Sequence, residues 1–298
     1  MTDQTLPANP YTRNPTLIDR LQLLIVSLAK QKRPSFGKQS DQYQEFYEDF
    51  FEDKDVEAYY RDPRMSHRRD TINRAISQQL KPGASICDVG CGLGDVLHGL
   101  PDGYKLFGME YAKSCVERAG KRLAGRADIR HGSIYEIPFD SNSMDAALCL
   151  EVLEHIEFDR KGARDIARIL KPGGFLIAAV PYTYYWPAYM KHLGHFRHYT
   201  RQVFGDMLAE AGLKPEAYLV NYPNWHRTYT MRYAMVRAQH MTVGRLFGKK
   251  TLYQFKYPWQ SKPALDALAD SIEPLRQKDA AMDYSKLDTS TFILARKQ

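Results

Sequence analysis

The chain has 298 residues, 44% of them hydrophobic, with 42 Lys and Arg against 35 Asp and Glu for a net charge of +7. That length suits one α/β domain with additions, and the apolar share is ordinary for a soluble protein with a sizeable core. No apolar run reaches the roughly 18 residues of a membrane span, and the N-terminus lacks the charged-then-apolar order of a secretory leader.

The basic balance fits nucleic acid, anionic lipid or acidic substrates, and equally an ordinary basic surface. The four cysteines, Cys87, Cys91, Cys115 and Cys149, form no C-x-x-C pair, and the histidine spacing suggests no zinc site. Reduced thiols, a cytoplasmic location and no metal are the expectations.

Residues 1–16 carry Pro7, Pro10 and Pro15 among polar residues and read as an extended or disordered tail. A helical cap is expected over 17–80. Its first helix, Leu17 to Lys30, sets Leu17, Leu21, Leu24, Ile25 and Leu28 on one stripe. With Lys30, Lys32 and Arg33 following, this helix either packs on protein or lies on an anionic membrane surface. Asp41 to Tyr60 spaces aromatics as on a helical face, and Tyr59 or Tyr60 could attract a cation. Asp62 to Leu80 reads as a helix whose His67-Arg68-Arg69 lies on a solvated face, ended by Lys81-Pro-Gly.

The β-formers Ser85 to Val89 then break into Gly90, Gly92 and Gly94, followed by a helical pattern. Such glycines let backbone N–H groups approach a ligand closely. A dinucleotide site wants G-x-G-x-x-G; here Asp95 takes the place of the last glycine. Asp88 and Asp95 would repel a pyrophosphate and suit a ligand with positive charge. Glu110 ends a second strand where a carboxylate can accept both hydroxyls of a ribose.

Strand and helix alternate from there, as in a doubly wound parallel sheet. Strands are expected near 84–89, 105–109, 127–131, 144–150, 174–180, 215–221 and 289–296. Helices are expected near 93–100, 111–124, 158–170 and 200–211, the last capped by Thr200 and closed by Gly212. The core thus spans 81–221 and closes with an edge strand in 289–298. Residues 222–288, rich in Tyr, Trp, Arg and Lys, form an insertion too long to be a structureless loop, read as a helical lid.

Asp88-Val-Gly-Cys-Gly-Leu-Gly with Glu110 resembles the class I S-adenosylmethionine (AdoMet) dependent methyltransferases. So do Gly132-Ser-Ile-Tyr-Glu-Ile-Pro-Phe139, Met144 to Ile156 and Leu170-Lys-Pro-Gly-Gly-Phe175. The resemblance implies a Rossmann-like seven-stranded sheet with its last strand antiparallel, and AdoMet as cofactor. It implies that Gly90, Gly92 and Gly94 line the methionine part, with Asp88 near its ammonium. Glu110 would take the ribose, Met109 or Tyr111 would flank the adenine, and Ser133 and Ile134 would meet its edge. Ser133 departs from the acid common in the family. Leu150 and Glu151 would complete the cofactor wall.

Methyl transfer from a sulfonium requires alignment and loss of a proton, with no metal or covalent nucleophile. His155, just past the fourth strand, is either a general base or a structural residue. Pro181 to Tyr199 resembles the loop leading to a Gly-His-x-Arg-x-Tyr/Phe element in small-molecule and ubiquinone-type methyltransferases. It would give the acceptor an aromatic wall from Tyr182, Tyr185 and Trp186 and a polar one from His195, Arg197 and His198. His195 is a second candidate base. Arg197 would either clamp an acidic group of the acceptor or anchor its own loop. The leading expectation is O-methylation of a small hydrophobic or aromatic acceptor. The alternatives are an RNA or protein methyltransferase using the basic insertion, and a non-catalytic AdoMet binder.

Overall fold

A computed structural model describes residues 63–181, 194–199, 201–219 and 292–298, with 48, 228, 270, 271 and 273–275. The expectations for 1–47, for 182–193, for Thr200 and for most of the 49–62 and 222–291 stretches lie outside the described residues.

The described chain runs α1 (Pro63–Gln79), β1 (Ser85–Val89), α2 (Asp95–Gly99), β2 (Lys105–Glu110), α3 (Lys113–Leu123), β3 (Ala127–His131) and β4 (Met144–Leu150). A single 3-10 turn, Leu153–His155, precedes α4 (Asp159–Ile169), β5 (Leu170–Ala179), α5 (Arg201–Glu210), β6 (Leu213–Tyr218) and β7 (Phe292–Lys297). The seven strands form one sheet in the order β3-β2-β1-β4-β5-β7-β6. β7 pairs antiparallel with both β5 and β6, and every other pairing is parallel. Sheet order reverses between β1 and β4, so the crevice outside their C-terminal ends is the ligand-binding position of an open α/β sheet.

Strand parity builds the core. On β4, Ala146, Leu148 and Leu150 face one cluster with Ile72 and Ile76 of α1 and Leu97 of α2. Ala147 and Cys149 face the other, with Ile166 of α4 and Phe204 of α5. A strand buried on both faces must be apolar at consecutive positions, which is why Ala146 to Leu150 reads as a continuous hydrophobic run.

Helix ends deviate from the periodicity for local reasons. α2 begins at Asp95 because Gly94 adopts φ +75°. α4 stops at Ile169 because Leu170 pairs with Met144. Gly174 is forced, since a Cβ there would lie 2.9–3.2 Å from the carbonyl oxygens of Lys171, Asp145 and Met144.

One expectation is overturned: the charged face of α1 is not simply solvated. Arg69 bonds Asp95 at 2.6 Å and Arg68 lies 3.8 Å from Glu151, so α1 braces both the glycine loop and the end of β4. Long basic side chains on a helix facing acids at strand ends find partners there instead of water.

Candidate functional site

The loop after β1 is fastened to the end of β2. The amides of Gly90 and Cys91 donate to the Met109 carbonyl at 2.7 and 3.0 Å. The Gly92 amide donates to Glu110 Oε2 at 2.8 Å, while Oε1 accepts from Tyr111 and Ala112 at 2.7 and 2.9 Å. Gly90, Gly92 and Gly94 all have positive φ (79°, 53° and 75°), a region costly for residues with a Cβ. At Gly90 space is lacking as well, because a Cβ would meet Val152 at 2.5 Å.

Three acids surround this loop. Burial, then the nearby charges of Glu110 and Asp95, push the Asp88 carboxyl up to about 7. Burial raises Asp95 to about 6 against the opposing pull of Arg69. Glu110 is raised by burial although three amides favour its charged form. A pocket of crowded acids at a sheet switch point favours a ligand carrying positive charge.

The remaining expected cofactor residues separate by parity. Met109 does not flank the crevice: its side chain is buried in the core and only its carbonyl serves the loop. Adjacent strand residues point to opposite faces, so with Glu110 turned to the loop Met109 turns away. Tyr111 is half-buried and stacks with His131, ring centroids 6.3 Å apart. Ser133 Oγ accepts from the Tyr135 amide at 3.3 Å. Ile134 is buried in the core beside Gly162. Leu150 is buried where β4 ends. Glu151 follows with φ +59° and donates its amide to the Ala179 carbonyl at 2.8 Å, a strained backbone of the kind held at ligand sites.

The second part of the site joins two distant segments. Phe196 donates its amide to the Glu154 carbonyl at 2.7 Å. Arg197 donates to the carbonyls of Ile156 and Glu157 at 2.9 and 2.7 Å and lies 3.2 Å from Asp159 Oδ2. The Tyr199 hydroxyl donates to the same Oδ2 at 2.9 Å. Arg197 is therefore an anchor of its loop, and of the two expected roles the acceptor clamp gives way. Its guanidinium satisfies carbonyls left at the start of α4.

That docking puts three histidines together. His155 and His195 meet edge to face at 4.4 Å, and His195 Nδ1 lies 2.8 Å from His198 Nε2. Burial lowers His155 to about 4 against a backbone hydrogen bond at Gly194, and lowers His195 to about 2, with the neighbouring imidazoles acting in the same direction as burial. Both imidazoles are neutral near pH 7 and are poor stores for a proton. Tyr182, Tyr185 and Trp186 lie outside the described residues.

Several contributors were not anticipated. Asp159 receives both Arg197 and Tyr199. Glu48 accepts from the Lys113 and Ser114 amides at 2.7 and 3.1 Å, which sets its carboxylate at the N-terminus of α3. Asp159 stood in plain view as an acid opening a helix; Glu48, one of several acids in its stretch, had no distinguishing mark.

Residues 87–178 match a family model described as a methyltransferase domain. An O-methyltransferase, resE, of Aspergillus sclerotiorum is 27% identical over 156 residues, 48% of this chain and 59% of that protein. A demethylmenaquinone methyltransferase of Desulfitobacterium hafniense is 26% identical over 153 residues, 43% of this chain and 60% of that protein. The chain thus spans no more than three-fifths of these curated relatives. Among solved structures, a sarcosine dimethylglycine methyltransferase-type protein from Galdieria sulphuraria shares the fold at 17% identity and TM-score 0.53, over 76% of this chain and 81% of that one.

Proposed function

We propose, for a chain whose sheet domain belongs to the class I AdoMet-dependent methyltransferases, that it carries the AdoMet methyl group to an oxygen of a small hydrophobic or aromatic acceptor. The observation that carries this reading is the Glu110 carboxylate bound to the Gly92 amide inside an acidic crevice at the sheet's switch point.

In this reading the glycine loop follows the methionine part, Asp88 faces the ammonium, and Glu110 takes ribose hydroxyls on lone pairs its three amides do not use. Tyr111 covers the adenine, with the backbone of Ser133 and Ile134 at its edge, and Leu150 and Glu151 wall the crevice. The acceptor hydroxyl attacks the methyl carbon in line with sulfur. The O–C bond forms as the C–S bond breaks, sulfur keeps the electron pair as a thioether, and the hydroxyl proton passes to solvent. The protein supplies alignment and water exclusion. His155, His195 and His198 form the polar floor against which the acceptor oxygen rests. Tyr182, Tyr185 and Trp186, with the aromatics of 222–288, are apt by composition to hold an apolar acceptor.

The test is to incubate the full chain with methyl-labelled AdoMet and a panel of phenols and hydroxylated ring compounds, measuring S-adenosylhomocysteine release. Acceptor-dependent release with label on oxygen supports the assignment. Binding of cofactor with no release across small molecules, or label entering RNA instead, counts against it.

A further inference from the structure

We propose that Glu154, His155 and His195 form a binding site for one divalent first-row metal cation, on the acceptor side of the crevice past the end of β4. One ligand atom from each residue lies within 4.8 Å of the others. A cation holding nitrogen and carboxylate donors at about 2.0–2.2 Å brings them somewhat closer together, which small side-chain rotations accomplish.

Glu154 is the second, independent sign. Its side chain has no exposed surface, and among the described residues neither carboxyl oxygen has a hydrogen-bond partner. The nearest imidazole nitrogen, His155 Nε2, stands 3.7 Å from Oε1. Its main chain, by contrast, is fixed by the Phe196 amide. Arg68, the basic group whose charge reaches it, lies against Glu151. Leaving both oxygens of a buried carboxyl group without a hydrogen bond is costly, and a cation among Glu154, His155 and His195 gives them a partner.

The histidines are prepared for the same purpose. Each offers a ring nitrogen, the commonest side-chain donor to such a cation. His195 Nδ1 lies 2.8 Å from His198 Nε2, and in the tautomer whose Nδ1–H donates there the lone pair of His195 is on Nε2. Metal-bound histidines are held in just this way by an outer partner on the other nitrogen. Two imidazoles and one carboxylate suit Mn²⁺, Fe²⁺, Co²⁺ or Zn²⁺ and leave coordination positions open.

Motif spacing offers no hint of this site because its ligands come from two segments joined by docking of 194–199, with no cysteine among them. The role of the cation rests on the methyl-transfer reading. It holds the acceptor oxygen and lowers its pKa, so that the oxygen attacks the methyl carbon as a stronger nucleophile.

The test uses the tag-free full chain, stripped with chelator, and titrates Co²⁺ alone while recording its visible ligand-field band and the bound equivalents after dialysis. One equivalent per chain is expected, weakened at least about tenfold in His155→Ala and about tenfold in His198→Phe, with circular dichroism checking the fold of each. His198→Phe removes an outer partner and leaves the ligands, so a result survives if one variant misfolds. No binding at millimolar Co²⁺ or Mn²⁺, or binding equal to wild type in folded variants, overturns the site. S-adenosylhomocysteine binding is measured by calorimetry on the same samples. Nucleoside bound without cation refutes this proposal alone, and cation bound without nucleoside refutes the methyl-transfer reading alone.

Discussion

Gly92 donates its amide to the carboxylate of Glu110 at 2.8 Å, tying the loop after β1 to the last residue of β2. The two strands lie side by side in parallel, with Val89 opposite Met109. The contact presents the Glu110 carboxylate next to the backbone amide of a residue with no Cβ. It holds both at the point where sheet order reverses.

Gly90 tolerates no side chain. Gly90→Ala sets a methyl into Val152 and forces an L-residue to φ +79°. We expect cofactor binding to weaken at least about tenfold and stability to fall by about 1–3 kcal/mol, as for a strained position. Gly120 in α3 is the control: a Cβ there meets nothing within 4 Å. Gly120→Ala should gain about 0.5–1 kcal/mol through helix propensity and leave binding unchanged. Denaturant melts and calorimetry on both variants give the comparison.

Asp88 makes AdoMet affinity depend on pH. Its folded pKa, about 7, exceeds its ordinary value of 3.8, so below pH 7 part of the chain carries a neutral acid that a cationic ligand must deprotonate. Affinity should be level above pH 7 and fall below it, by at most about tenfold per pH unit. The same shift means that the ligand-free fold binds more protons than the unfolded chain between about pH 4 and 7. This group therefore lowers stability as pH rises through that window, and saturating AdoMet should reverse the trend. Asp88→Asn should flatten the affinity profile.

Arg197 is a structural anchor in a pair with Asp159. Arg197→Ala should cost about 3 kcal/mol, the low end for breaking a buried pair, because Tyr199 still donates to Asp159. KM should rise for neutral and anionic acceptors alike. A stability equal to wild type, with KM raised only for anionic acceptors, would restore the clamp.

The central part of the fold was legible because its physics is local. Where a strand is buried on both faces it must be apolar throughout, so 146–150 shows itself, and the turn after β1 needs glycines at positive φ. Strand parity was available too and, applied to Glu110, would have turned Met109 into the core. What depends on distant partners was illegible. Arg68 and Arg69 look the same in sequence whether they meet water or Glu151 and Asp95. Arg197 serves an anchor as readily as a clamp until Ile156 and Glu157 are seen beside it. The grouping of Glu154 and His155 with His195 exists only after residues 194–199 dock.

The most direct measurement is a calorimetric titration of S-adenosylhomocysteine into the wild-type chain and Glu110→Ala. One-to-one binding by the wild type, weakened at least about a hundredfold (about 2.7 kcal/mol) in the variant, is the predicted result. A wild-type chain that ignores the nucleoside, or a folded Glu110→Ala that binds it equally well, would contradict the account.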